Sequence, residues 1–396
     1  MSVNIPFNKP YITGNELTYI ERLIKSENTI AGDGVYTKKV CRLIESRFGA
    51  QKALATPSCT GALELATHLL RLKPGDEVIV PSFTFSSTAN PPLLAGARVV
   101  FAEIQEDTLN VDPEDIARRI TPKTRAIFPV HYAGVACDMD AIVDIAGEHG
   151  LAVVEDAAHA INARYKGRYL GTIGHFGCYS FHETKNYVCG EGGALLINTN
   201  DAEIHERSEI LREKGTDRSR MFRGEVDKYC WMDVGSSYLP SDILMAFLYA
   251  QLEQADLIGQ KRLAVYNAYC AALRPLEKEG LVRLPIVPSY AEHNAHLFYI
   301  LFRDRMARDS AMQRLKERGV NALFHYIPLH SSPMGYRLGY RHGDLPITES
   351  VSDRLLRLPV YAGMTAPELE YVISAVTEVV KGLSAPKGES LLMEAM

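Results

Sequence analysis

From Glu77 to Glu155 the chain alternates short apolar runs with helical patterns. The runs Glu77–Val80, Arg98–Phe101, Arg125–Val130 and Leu151–Glu155 read as strands, being apolar and too short for independent helices. Ser87–Ala95, Pro113–Ile120 and Asp138–His149 lie between them and carry helical spacing. Parallel strands need a crossover, and a helix supplies one. The repeated pattern predicts an α/β chain whose mostly parallel sheet is covered on both faces. Ligands of such sheets gather at the carboxyl ends of the strands, so the residues that follow each run are the candidates for chemistry.

Four stretches stand at such places. Leu151–Val154 ends in Glu155 and Asp156. An aspartate there can pair with a pyridinium nitrogen, or it can cap the helix that follows. A second strand-like run, Phe176–Tyr179, leads into Ser180-Phe181-His182-Glu183-Thr184-Lys185-Asn186-Tyr187, then Gly190-Glu191-Gly192-Gly193 and the strand Ala194–Ile197. A lysine at a strand end can form a Schiff base with an aldehyde cofactor if its surroundings lower its pKa; in a plain hairpin it is a surface lysine. Thr56-Pro57-Ser58-Cys59-Thr60-Gly61 opens a helical pattern through Leu70. Its hydroxyls and free N–H groups suit a phosphate, or Ser58 or Thr60 is an ordinary N-cap. After Pro81, Phe85 is either a ring that stacks on a flat ligand or a core residue. His131 ends a strand and is left without a role.

Together these motifs resemble the DegT/DnrJ/EryC1/StrS sugar aminotransferases. The shared runs are Thr56–Thr60, Pro129–Cys137, Phe181–Tyr187 and Phe324–His330, and the similarity extends from Ile5 to about Leu383. Within the family the chain is most similar to transaminases acting on dTDP-4-keto-6-deoxy-D-glucose. The resemblance implies the aspartate-aminotransferase fold (fold type I), with a large cofactor domain over residues 1–250, a small α+β domain over 251–383 and a tail over 384–396. It implies pyridoxal 5'-phosphate (PLP) on Lys185, cycling with pyridoxamine 5'-phosphate (PMP). Asp156 would sit at the ring nitrogen and His159 at the phenolic oxygen. Ser58, Cys59, Thr60 and Ser180 would sit around the phosphate, and Phe85 over the ring.

The same resemblance implies L-glutamate as amino donor, a dTDP-keto-deoxy sugar as acceptor and a homodimer with shared active sites. Tyr187, His325 and Tyr326 lie in the shared runs, and Arg223 lies in the polar, basic stretch Gly215–Lys228. These four are the candidate substrate contacts. Many relatives have Asn-aromatic-Arg where Ser237-Tyr238-Leu239 stand here, so the asparagine's role does not pass to Ser237. Relatives that dehydrate sugars carry histidine at the lysine position; Lys185 argues for amination.

The other readings are a C3 aminotransferase on a related keto sugar, a non-catalytic regulator with the same fold, and a nicotinamide-dependent oxidoreductase. The last is disfavoured because no Gly-x-Gly-x-x-Gly follows a strand near the N-terminus. A net charge of −5 argues against nonspecific nucleic-acid binding. No stretch has the uninterrupted apolar length of a membrane span, and the N-terminus lacks a signal-peptide pattern. Seven cysteines without Cys-x-x-Cys spacing suggest a reducing cytoplasm and no zinc site. Elsewhere the spacing predicts helices over Glu16–Lys25, Lys38–Phe48, Ala202–Lys214, Asp242–Leu276, Asp309–Arg318, Glu349–Arg357 and Pro367–Lys381, and strands over Leu297–Phe302 and Ala322–Ile327.

Overall fold

The computed structural model describes residues 4–27 and 30–384, so all but the first residue of the expected tail lies outside the described residues. Helices α1 (Glu16–Arg22), continued by a π-helical turn, and α2 (Val35–Phe48) lead into strand β1 (Lys52–Thr56). Then come α3 (Cys59–Leu69), β2 (Glu77–Pro81), α4 (Ser86–Leu94), β3 (Arg98–Ala102), α5 (Pro113–Arg119), β4 (Thr124–Ile127), α6 (Met139–His149) and β5 (Ala152–Asp156). A small hairpin, β6 (Arg164–Tyr165) and β7 (Arg168–Tyr169), precedes β8 (Phe176–Ser180) and β9 (Gly193–Ile197). Several helices start where the sequence supplies a side-chain cap. Asp112 and Asp138 accept backbone N–H groups of α5 and α6, and Pro113 occupies the first turn of α5.

These strands form a seven-stranded sheet in the order β1-β9-β8-β5-β4-β2-β3. β9 pairs antiparallel with both neighbours, and every other pairing is parallel. This is the mixed, mostly parallel sheet that the alternation predicts. β1 is the strand the pattern missed, because Lys-Ala-Leu-Ala-Thr has few β-branched residues.

The second half contains α7 (Ala202–Arg212), α8 (Arg218–Phe222), α9 (Asp242–Glu253), α10 (Ala255–Lys278), β10 (Ala291–Glu292) and β11 (Phe298–Leu301). It ends with α11 (Arg305–Glu317), α12 (Pro333–Arg337), α13 (Pro346–Arg354), β12 (Leu355–Leu358) and α14 (Ala366–Ser384). The long helix expected over Asp242–Leu276 is two helices separated at Gln254. The helix expected over Glu349–Arg357 stops at Arg354, because Leu355, Leu356 and Leu358 pair with β11 instead. Ala322–Ile327 is not a strand. It touches Arg357 through a single bridge at Leu323, and Pro328 and the turned-in His325 and Tyr326 prevent a longer ladder.

Two apolar clusters, one on each face, make up the core of the sheet, and a second core collects α10, α11, α14, β11 and β12. α10 serves both: Ala255 and Ile258 pack with the sheet, whereas Tyr266, Tyr269 and Leu273 pack in the second core. The packing thus changes hands inside α10, beyond the expected boundary at 250. Ile5 also belongs to the second core, where its N–H donates to Gly319 O at 2.7 Å.

Glu155, fully buried, ties the sheet to the segment that precedes β8. Its carboxylate accepts N–H groups of Gly171 (2.8 Å), Ile173 (2.6 Å) and Gly174 (2.7 Å), and Nε2–H of His131 (2.9 Å). Cys137 N–H donates to Nδ1 of His131, which leaves the imidazole proton on Nε2. Gly177 makes room for this loop, since a Cβ there would lie 2.0 Å from Gly171 O. Replacing Glu155 by Leu strands four donors in the interior. We expect a loss of about 3 kcal/mol or more of stability, read as a lowered midpoint in chemical denaturation; an unchanged midpoint would refute the anchoring role.

Candidate active site

The carboxyl ends of β1, β2, β5 and β8, with the start of β9, surround a cavity of about 560 Å³. After β1 the chain turns at Ser58, whose Oγ accepts Gly61 N–H at 3.1 Å and caps α3. Ser58, Cys59 and Thr60 line the cavity, so the free N–H groups and positive end of α3 face it. Thr60 Oγ1 donates to Ser87 Oγ at 2.8 Å, which joins the first turns of α3 and α4. Gly193 allows β9 to begin against this turn, because a Cβ there would lie 2.3 Å from the carbonyl carbon of Ser58. Ser180, at the end of β8, adds a hydroxyl with no hydrogen-bond partner among the described residues.

Asp156 is the last residue of β5 and is buried. Its Oδ2 accepts from Thr88 Oγ1 at 2.7 Å, and its Oδ1 accepts from Ala158 N–H at 3.1 Å. Burial raises its pKa, and Thr88, the Ala158 N–H and the charge of Lys185 oppose that rise. Lys185 extends into the same cavity from the β8–β9 loop, held at its backbone by Lys185 N–H to His182 O at 2.9 Å. Burial lowers its pKa against the pull of Cys59 and Asp156. Its amine makes no hydrogen bond or ion pair among the described residues.

The opposite wall is aromatic. Phe85 is 61% exposed at the cavity mouth, which separates it from a core phenylalanine; Phe83, two residues before, is the buried one. His159 stacks on His296 with ring centres 4.2 Å apart, and its Nε2 lies 3.3 Å from Tyr326 OH. His159 Nδ1 is buried without a partner. His325 stacks on Tyr326 at 3.7 Å and shares a 2.7 Å hydrogen bond with Tyr132 OH. Arg357, from β12, completes this side.

The sequence profile of the DegT/DnrJ/EryC1/StrS aminotransferase family matches residues 10–377. The chain belongs to that family. It is 34% identical over 388 residues to the spore coat polysaccharide biosynthesis protein SpsC of Bacillus subtilis, covering 96% of this chain and 97% of SpsC. Its fold superposes on the PMP form of the putative sugar aminotransferase Spr1654 of Streptococcus pneumoniae with a TM-score of 0.89 and 26% identity, over 96% and 98% of the two chains. DesV of S. venezuelae, in complex with a ketimine intermediate, gives 0.86 and 31% over 96% and 99%.

The structure of this aminotransferase brings Ser58, Cys59, Thr60, Phe85, Asp156, His159, Ser180, Lys185, His325 and Tyr326 to one cavity. Two candidates lie elsewhere. Tyr187 is fully buried in the core, with its hydroxyl donating to Ala255 O at 3.2 Å, so it has no face toward a substrate in this cavity. Arg223 sits on the outer surface, paired with Glu209 at 2.7 Å and Glu225 at 2.5 Å, and does not line the cavity. Sequence reasoning missed Thr88, Ser87, His182, His296 and Arg357. The hydroxyls of Ser86-Ser87-Thr88 open α4 after a strand end and could have been suspected on that ground. Arg357 carries no local signal. Among the described residues, no group of His, Cys, Asp and Glu is arranged to hold a metal, and no helix is long and apolar enough to cross a membrane.

Burial keeps His159, His296 and His325 well below the ordinary histidine pKa, and His293 at about 4. A depressed native pKa means that the unfolded chain binds protons first as pH falls. We therefore expect stability to decline as pH drops from about 6.5 toward 4, and His296→Asn to flatten that decline in thermal melts. A melting temperature independent of pH over this window would contradict the neutral cluster.

Proposed function

We propose that the protein transfers an amino group from L-glutamate to C4 of dTDP-4-keto-6-deoxy-D-glucose, giving 2-oxoglutarate and a dTDP-4-amino-4,6-dideoxy sugar. The carrying observation is that Lys185 and Asp156 face one cavity beside a capped helix N-terminus and free hydroxyls. The cofactor is pyridoxal phosphate, alternating with its amine form. The donor set suits it: an amine with a depressed pKa for the aldehyde, a buried carboxylate for the ring nitrogen, and N–H and hydroxyl groups for the phosphate. The unpartnered Nδ1 of His159 is a further polar atom awaiting a partner. When bound, the cofactor supplies an electron sink for the carbon that loses or gains the amino group.

The chain's own residues do the rest. Asp156, fixed by Thr88 and Ala158, keeps a proton on the ring nitrogen. Ser58, Cys59, Thr60 and Ser180 would hold the phosphate, Phe85 would cover the ring, and His159 would orient its phenolic oxygen. Lys185, whose lowered pKa favours the neutral amine, would take the proton from the donor's Cα and return it across the same face. The same steps in reverse serve the keto sugar, so donor and acceptor alternate in one cavity. SpsC's polysaccharide role and the sugar aminotransferase neighbours support a sugar acceptor. A homodimer is supported by an exposed apolar run, Phe222, Tyr229, Trp231, Met232 and Val234, on one stretch of the surface chain.

The test combines spectrum and product. The PLP-loaded protein should be yellow and should convert the dTDP-4-keto sugar and L-glutamate into a 4-amino product identified by NMR. The H3–H4 coupling then assigns the amine as axial or equatorial. Lys185→Ala should lose at least about 10²- to 10⁴-fold in turnover. Amination at C3 only would replace the regiochemistry, and a protein that never binds PLP would remove the whole reading.

A further inference from the structure

A buried polar network lies beside Lys185, where the chain between α10 and β11 passes the strand ends of the sheet. Its members are Asn186, Arg262, Asn294 and His296. Asn294 Nδ2 donates to His159 O and to Ile161 O, both at 2.8 Å, and its Oδ1 accepts His296 N–H at 3.1 Å. Its carbonyl accepts from Asn186 Nδ2 at 3.0 Å. Gly134 leaves the room for this side chain, since a Cβ there would lie 1.9 Å from Asn294 Oδ1. Arg262, from α10, has no acidic partner among the described residues. Its Nε and Nη2 donate to Ala295 O at 3.2 Å and His296 O at 2.8 Å.

These bonds fix a tautomer. A carbonyl only accepts, so the amide nitrogen of Asn186 faces Asn294 and its Oδ1 faces His296. Nδ1 of His296, 2.9 Å from that oxygen, therefore carries the proton. Burial keeps the imidazole neutral, which leaves Nε2 bare. The titratable and charged groups that face it are Lys185 on the β8–β9 loop, His159 after β5, Arg262 on α10 and His325 on the facing wall. None is an anion, so nothing there rewards a charged imidazole.

We infer that Asn186 and His296 are positioning residues for Lys185: their hydrogen bond, with Asn294 behind it, fixes the lysine's loop to the His159 turn and keeps an uncharged imidazole beside the amine. The inference rests on the aminotransferase reading above and adds the device that holds its lysine. Lys185 acts in both half-reactions, so its side chain moves while its backbone has to stay in one place. The two residues after it are both anchored, Asn186 on Asn294 and Tyr187 on Ala255 O at 3.2 Å. A loop held this way also keeps water from the amine, and burial is the first cause of its lowered pKa.

Two substitutions at one position separate hydrogen bonding from packing. His296→Phe keeps a ring against His159 but removes the N–H that Asn186 receives. His296→Asn removes the ring but places an amide N–H near where Nδ1 stood. The first readout needs no cofactor: the pH midpoint for acylation of Lys185 in the apo-protein, followed by peptide mass spectrometry. It should rise by about one pH unit in His296→Phe, toward the ordinary lysine value, and by less in His296→Asn. The second is the rate of each half-reaction, L-glutamate with the PLP-loaded protein and keto sugar with the PMP-loaded one. Both rates should fall by a common factor of about 10 to 100 in His296→Phe, with half-saturating concentrations changed less than about threefold. His296→Asn should lose less on both readouts. Asn186→Ala should match His296→Phe, and it replaces that variant if the phenylalanine prevents folding. The reverse ranking, with phenylalanine better than asparagine, would assign His296 to packing alone and overturn the inference. An unmoved acylation midpoint or a defect confined to one half-reaction would overturn it as well. If the wild-type protein never binds PLP, the aminotransferase reading falls, and the acylation midpoint still decides whether the network positions Lys185.

Discussion

Two adjacent carboxylates at the end of β5 set the geometry on which the site depends. Successive residues of a strand point to opposite faces, so Glu155 and Asp156 cannot share a task. Glu155 turns away from the cavity and gathers three backbone N–H groups and His131. Asp156 turns toward it and is held by a hydroxyl and one N–H. The first carboxylate fixes the segment that enters β8, and β8 ends at Ser180, five residues before Lys185. A saturated anchor on one face thereby places the lysine relative to the unsaturated carboxylate on the other.

The electrostatics of the cavity follow from burial. Desolvation penalises charge of either sign. It raises Asp156 and lowers Lys185, moving the two toward each other's range, while their mutual attraction opposes both shifts. The imidazoles around them stay neutral for the same reason. Such a site is poor in mobile charge and rich in groups whose protonation changes readily, which suits proton transfer between carbon atoms. Arg357 is the exception, because a guanidinium keeps its proton even where burial depresses its pKa.

The large body of the fold was legible because its signal is local. Alternating apolar runs and helical spacings predict the sheet from β2 to β5 nearly strand by strand. The places where chemistry gathers then follow from the strand ends, which is how Asp156, Lys185 and the Ser58–Thr60 turn stand out. The resemblance to the family supplied the roles. The small body was less legible. Leu355-Leu356-Arg357 reads as the end of a helix until β11 is present to pair with it. Ala322–Ile327 reads as a strand until His325 and Tyr326 are seen turned to the cavity. Tyr187 shows the reverse error: it lies in a motif full of cavity residues, yet its own side chain packs into the core.

These misreadings share a cause that also bears on how the site divides its labour. The sheet side of the cavity is assembled from strand ends close in sequence to their caps and turns, so its residues carry recognisable motifs. The facing wall comes from Phe7, from His325 and Tyr326, and from Arg357, segments joined only by tertiary contacts such as the Leu323–Arg357 bridge and the Phe7–Arg357 stack. The sheet side presents the groups proposed to hold the cofactor, which every donor and acceptor must meet. The facing wall presents the groups free to choose among them. Phe7 and Tyr326 of that wall pack in a cluster of their own with Phe83, Tyr132, Leu297 and Tyr299, separate from the apolar clusters that cover the sheet. A fold arranged this way can keep one chemistry and vary its substrates.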